Sequence, residues 1–159
     1  MPQEIEGSWS AVPGRWGLVA SRTNRLVVEG LVHGAVDALR RAGIADEAID
    51  LIWVPGSFEI PQAARVLAAS GRYRALVCLG AVLRGETEHH EHIAAQAIAG
   101  VEQAAVATGV PMTLGILTCD TLEQALHRAG GKGANKGAEA ALAALEMAQL
   151  FARLPGGSP

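Results

Sequence analysis

An α/β fold, with a four-stranded parallel sheet covered by helices on both faces, is predicted by three features of this 159-residue chain. Four short apolar runs, at residues 16–20, 49–54, 75–80 and 112–117, have the nearly continuous hydrophobicity of strands buried on both sides. Segments whose apolar residues recur at helical spacing separate one run from the next. Glycine, proline and capping residues punctuate the alternation, and right-handed crossovers leave few topologies open to it.

In chain order, residues 1–14, with Gly7, Pro13 and Gly14, read as an irregular arm that takes on order only where something packs against it. The first strand ends at Ser21-Arg22-Thr23-Asn24, a turn rich in capping residues. From Arg25 to about Ala42, Val27, Val28, Leu31, Val32, Ala35, Val36 and Leu39 mark one helical face, and Gly43 stops it. The second strand closes at Pro55-Gly56, and a short helix over about 61–70 ends at Gly71. After the third strand a long helix is expected from Thr87 to about Thr108, with Ile93, Ala97, Val101, Ala104 and Ala105 on its buried stripe. Beyond the fourth strand, Thr121 and Gln124 form a capping-box pattern for a helix to about Ala129. A glycine-rich segment, 130–137, leads to a last helix from about Ala138 to Leu154. The domain reading is an arm over 1–14, a single domain over 15–155 and a flexible tail over 156–159.

A net charge of −3 gives no electrostatic drive toward nucleic acid or anionic lipid, so any phosphate must be caught locally. No stretch approaches the roughly 20 apolar residues of a membrane span, and the N-terminus lacks a basic-then-apolar leader, which reads as cytoplasmic. Cys78 and Cys119 lie in or just after apolar runs without metal spacing and read as inert packing groups.

In open parallel sheets ligands bind outside the carboxyl ends of the strands, which directs attention to 21–24, 55–61, 80–90 and 118–121. Gly85, Glu86 and Thr87 would present backbone N–H groups at the start of the long helix, a phosphate site by geometry, with Thr87 either donating to the anion or capping the helix. His89 is expected one turn inside that site, where an imidazole either transfers protons near neutral pH or serves as a solvated capping residue. Metal binding by His89, His90 and His92 fails on geometry, because helical neighbours point about 100° apart. Ser57, Phe58 and Glu59 offer a hydroxyl, a ring and a carboxylate suited to a polyol, or form an ordinary strand-to-helix turn. The 130–137 segment lacks the spacing and hydroxyl of a P-loop. It is a solvated basic turn, or with Arg128 it presents cations to an anion held by another subunit.

Three segments together carry a resemblance: Val54-Pro55-Gly56-Ser57-Phe58-Glu59-Ile60-Pro61, Arg84-Gly85-Glu86-Thr87-Glu88-His89, and the run 123–137 from Glu123-Gln124-Ala125-Leu126-His127-Arg128 through Asn135-Lys136-Gly137. In order and spacing the chain resembles the lumazine synthases from about Trp16 to Phe151. The resemblance implies a three-layer sandwich with flavodoxin-like strand order 2-1-3-4. It also implies an enzyme, free of cofactor and metal, that condenses 5-amino-6-(D-ribitylamino)uracil with 3,4-dihydroxy-2-butanone 4-phosphate in riboflavin biosynthesis.

Carried over residue by residue, Ser57, Phe58 and Glu59 would hold the ribityl chain, and Ala81, Val82 and Leu83 would line the pyrimidinedione pocket. Gly85, Glu86 and Thr87 would receive the phosphate. Arg128 from an adjacent subunit, with Lys136 nearby and Glu139 orienting the arginine, would complete that site. His89 matches the family's proton-transfer histidine. Thr23 and Leu114 stand where the family usually has aromatic residues, a departure that costs on the order of 1 kcal/mol of stacking unless Phe58 replaces it.

The resemblance further implies pentamers with sites between neighbours, and in the family the short 130–137 turn goes with a sixty-subunit shell of twelve pentamers rather than a free pentamer, with dimers of pentamers a third form. Riboflavin synthase is a candidate partner. The alternative is a shell of the same fold that binds flavin or lumazine and catalyses weakly. A flavodoxin-like electron carrier is disfavoured, because Ser21-Arg22-Thr23-Asn24 lacks the phosphate cradle such a protein needs.

Overall fold

A computed structural model describes residues 1–85 and 89–157. The strands are β1 (Arg15–Ser21), β2 (Ile49–Val54), β3 (Tyr73–Leu83) and β4 (Met112–Cys119). The helices are α1 (Arg25–Arg41), α2 (Ile60–Ala69), α3 (His90–Thr108), α4 (Leu122–Arg128) and α5 (Lys136–Arg153), and short 3-10 turns precede β2 and α2. The sheet runs β2-β1-β3-β4 with every pair parallel, which is the predicted order.

One core lies between the sheet and α1, α4 and α5, where Leu18, Val27, Leu31, Leu39, Val77, Ala125, Ala144 and Leu145 are buried. The other lies on the opposite face beneath α2 and α3, with Val19, Ile60, Ala64, Leu76 and Val101. Alternate residues of β1 therefore serve different layers, as the period of two in a strand requires. The small residues of α5, Gly137, Ala140, Ala141, Ala144 and Ala148, let it lie close against the sheet and α1. Among the described residues no helix is long and apolar enough to cross a membrane.

Several boundaries differ from the expectation. β3 continues through Ala81, Val82 and Leu83, which register against Leu117, Thr118 and Cys119, so these residues are buried strand rather than loop. α3 is assigned from His90, and the predicted start at Thr87 lies outside the described residues. β2 and β4 are the sheet edges, so their apolar runs are only partly covered: Leu51 is 41% and Leu114 45% exposed. Of the capping box, Thr121 Oγ1 accepts from Gln124 N at 3.1 Å, but Gln124 Oε1 reaches Asp120 N, one residue before the cap.

The arm has no regular secondary structure and lies against α5, where Gln149 Oε1 accepts from Ser8 N at 3.0 Å and Arg153 donates to the Glu6 carbonyl. Of the tail, residues 158 and 159 lie outside the described residues. Cys78 is fully buried, and burial pushes its thiol up to about 12, which fits the inert packing role.

At the amino ends of the strands, Asp50 accepts from Arg15 Nε at 3.0 Å and from Tyr73 OH at 2.7 Å. The Arg15 hydrogen bond, then that of Tyr73, holds the Asp50 carboxyl below the usual carboxylate range. A carboxyl depressed in the folded state contributes stability above its unfolded pKa, and loses it as pH falls through the folded value. Asp50→Asn should therefore lower Tm at pH 7 by roughly 2–4 °C, the scale of one part-exposed ion pair. The gap to wild type should close as pH drops below about 4, and calorimetry between pH 7 and pH 2 measures both effects.

Candidate active site

The carboxyl ends of β1, β2 and β3 converge on a cavity of about 240 Å³ lined by Thr23, Gly56, Ser57, Phe58, Glu59, Ala81, Val82, Leu83 and Ile93. Every ribityl and pyrimidinedione residue predicted from sequence is here except Leu114. Its walls are held by long-range bonds. Arg22 N donates to Val54 O at 2.8 Å and Thr23 Oγ1 to Pro55 O at 2.9 Å, joining the ends of β1 and β2. Asn24 joins β1 to β3 through Nδ2, which donates to Ala81 O at 2.9 Å.

Asn24 was missed by the sequence reading as a site-building residue. It is the N-cap of α1 in a left-handed conformation, with φ of 59°, and its carbonyl accepts from Val27 and Val28. Asparagine tolerates that conformation better than most residues. Its place directly after a strand and before a helical pattern was the available signal.

Ser57 is 4% exposed, and its Oγ has no hydrogen-bond partner among the described residues. A Cβ at Gly80 would fall 2.6 Å from that oxygen, so glycine at 80 is what lets the hydroxyl seat against β3. A buried hydroxyl without a partner costs stability, and in a cavity wall it is available to a ligand. Glu59 is half-buried, and its Oε1 lies beside Gly56 together with the Thr23 hydroxyl. Phe58 is 53% exposed and is the aromatic side chain of the lining. Ile93, expected on the core stripe of α3, is half-buried and completes the wall.

His89 is the N-cap of α3 rather than a residue one turn inside it, and its carbonyl accepts from Ile93 N at 2.9 Å. That bond sets it one helical turn from the cavity wall, at the positive end of a 19-residue helix. Its ring stands 6.1 Å from that of His92. Gly85 is exposed with a left-handed φ of 90°, whereas Glu86 and Thr87 lie outside the described residues.

Leu114, Arg128 and Lys136 gather elsewhere, in a cleft of about 380 Å³ along the free edge of β4 with Gly115, Ile116, Leu117 and Thr118. Among the described residues the two cavities share no lining residue. Asn135 fixes the cleft's cationic wall: its Oδ1 accepts from Ala138 N at 3.0 Å and its Nδ2 donates to Gly30 O at 2.9 Å. The Asn135 side chain fills the space a Cβ would need at Gly34. Glu139 does not orient Arg128. It pairs with Lys136 at 3.4 Å, one turn away on the same helix, while Arg128 Nη1 donates to Cys119 Sγ at 3.2 Å.

Removing the unpartnered hydroxyl in Ser57→Ala should raise the Tm of the ligand-free protein by roughly 2–4 °C. Gly80→Ala should lower it by roughly 2–10 °C through overpacking. The double variant should recover most of that loss in calorimetry, and a loss unchanged by Ser57→Ala would contradict the contact.

The profile of the 6,7-dimethyl-8-ribityllumazine synthase family matches residues 13–152. The chain is 51% identical over 153 residues to the 6,7-dimethyl-8-ribityllumazine synthase of Halorhodospira halophila (strain DSM 244 / SL1), covering 96% of this chain and 98% of that protein. With its sheet order, its cavity at the strand ends and these matches, the chain belongs to the 6,7-dimethyl-8-ribityllumazine synthase family.

Proposed function

We propose that this protein is a cytoplasmic 6,7-dimethyl-8-ribityllumazine synthase of riboflavin biosynthesis. It condenses the 5-amino group of 5-amino-6-(D-ribitylamino)uracil with the ketone of 3,4-dihydroxy-2-butanone 4-phosphate, eliminates phosphate and water, and closes the second ring. The single domain of 15–155 carries the site. The observation that carries the reading is the cavity at the ends of β1, β2 and β3, with its buried Ser57 hydroxyl that has no partner among the described residues, in a chain of this family.

In this reading Ser57, Phe58 and Glu59 hold the ribityl chain, because a polyol needs a buried donor, a carboxylate acceptor and an apolar floor. Ala81, Val82 and Leu83 face the pyrimidinedione, their backbone fixed by β3 and by Asn24 on the Ala81 carbonyl. Thr23 supplies no ring, and its hydroxyl is committed to Pro55, so Phe58 takes over the stacking on the heterocycle. Gly85, Glu86 and Thr87 receive the phosphate, and His89 at the helix cap moves protons between the amine, the ketone oxygen and the leaving phosphate.

A cavity of about 240 Å³ is smaller than the roughly 300–1,000 Å³ usual for sites that enclose such ligands. The cleft with Leu114, Arg128 and Lys136 supplies what it lacks, a second apolar wall and two cations. We assign that cleft to a neighbouring copy within a pentamer, with twelve pentamers closing a sixty-subunit shell, and riboflavin synthase as the partner that consumes the product. The exposed Leu51 on the β2 edge and Ile98 and Val106 on α3 support association between copies.

Positioning of two substrates is the larger part of such catalysis, and proton transfer by one residue adds roughly 10²- to 10⁴-fold. Mixing the two substrates should yield fluorescent lumazine faster than the spontaneous condensation. His89→Ala should lose no more than that proton-transfer factor while staying above the uncatalysed rate. Wild-type turnover at the spontaneous rate would favour the weakly catalytic, lumazine-binding alternative. A His89→Ala variant that binds both substrates but shows only the spontaneous rate would overturn the division between positioning and proton transfer.

A further inference from the structure

The Arg128 guanidinium is held by a sulfur atom. Arg128 ends α4 and is exposed, and its hydrogen bond among the described residues runs from Nη1 to Cys119 Sγ at 3.2 Å. Cys119 is not a loose partner. It ends β4 at 4% exposure, registers against Leu83 of β3, and its carbonyl accepts from Arg84 N at 3.0 Å. One residue thus fixes the chain just before Gly85 by its backbone and the guanidinium by its side chain.

We infer that Cys119 is a positioning residue for the phosphate-bearing substrate: its sulfur aims the Arg128 guanidinium into the cleft beside β4, where the remaining N–H groups meet the phosphate. This rests on the reading of Arg128 as a phosphate ligand. A guanidinium has five N–H donors and no acceptor, so its direction must come from an acceptor nearby. A carboxylate would aim it strongly but would also compete with the phosphate and cancel much of its charge.

Thiol sulfur is a weak, neutral acceptor that occupies one donor and leaves the positive charge for the anion. The carboxylates of the segments around it have other partners: Glu139 lies 3.4 Å from Lys136, Asp120 3.9 Å from Arg84, and Glu123 3.8 Å from His127. Cys119 therefore does the work that the sequence reading gave to Glu139, without the electrostatic cost.

The test compares Cys119→Ala, which removes the acceptor, Cys119→Ser, which keeps a neutral one, and Arg128→Ala. KM for each substrate and inhibition by inorganic phosphate are measured on the assembled protein. Cys119→Ala should raise KM for the sugar phosphate and weaken phosphate inhibition by about 3- to 10-fold, with KM for the pyrimidine unchanged. Cys119→Ser should return both to within about 2-fold of wild type.

In the Arg128→Ala background, Cys119→Ala should have no further effect on phosphate, because the sulfur acts only through the guanidinium. An effect that persists there, or that falls equally on both substrates, would mark a merely structural residue and overturn the inference. If Cys119→Ala does not fold, Cys119→Val, which fills the buried space at the end of β4 without offering an acceptor, takes its place in both backgrounds: its weakening of phosphate inhibition must vanish without Arg128, and no weakening, or an equal one in both, overturns the inference. If Arg128→Ala itself leaves phosphate inhibition unchanged, the parent reading of Arg128 fails. If Arg128→Ala weakens it and Cys119→Ala does not, only the role of Cys119 fails.

Discussion

A parallel sheet in the order β2-β1-β3-β4 places strand ends above one region and a free strand edge in another, and that separation governs the rest of this molecule. Polar groups suited to a polyol and an imide collect where β1, β2 and β3 end. The cations suited to a phosphate collect beside β4, where the sheet stops and α4 gives way to α5. Among the described residues the first cavity is lined by no cation, and the second has Arg128 and Lys136 but none of the hydroxyl, ring and carboxylate of residues 57–59. In the proposed function two copies each give the other what it lacks, and the apolar side chains exposed on β2, β4 and α3 are the surface available for such an association.

Each half is stiffened by an asparagine that bonds far from itself in sequence. Asn24 ties the first turn of α1 to the end of β3, and Asn135 caps α5 while holding the backbone of α1 at Gly30. Rigid walls matter because two-substrate condensation gains most from geometry fixed in advance, before any proton moves. The Ser57 hydroxyl shows the cost of such preparation. It is buried without a hydrogen-bond partner among the described residues, in space left by the missing Cβ of Gly80.

Much of this was legible in the sequence. The apolar runs located all four strands, with an unbroken buried signature in the central β1 and β3. The rule that parallel sheets bind ligands at their carboxyl ends pointed to 21–24, 55–61 and 80–90, while the pocket roles of Thr23, Ala81, Val82 and Leu83 came from the family resemblance. What stayed hidden depended on contacts between distant segments. That Ile93 faces a cavity rather than the core follows from where β3 ends. The edge character of β2 and β4 follows from strand order, which single runs do not record. Glu139 looked like the natural partner of Arg128 on charge alone, yet the fold gives it Lys136 and gives Arg128 a sulfur. Cys119 read as inert packing because an apolar strand hides the direction of its last side chain.

The proposed dependence of one copy on another can be measured directly by co-expressing His89→Ala chains with Arg128→Ala chains. Each variant spoils its own kind of half-site, but an interface that joins His89 of one type to Arg128 of the other restores an intact constellation. Random mixing of equal amounts should leave about a quarter of sites intact and return about that fraction of wild-type turnover. Hybrid assemblies whose activity merely averages the two parents would contradict a site shared between neighbours.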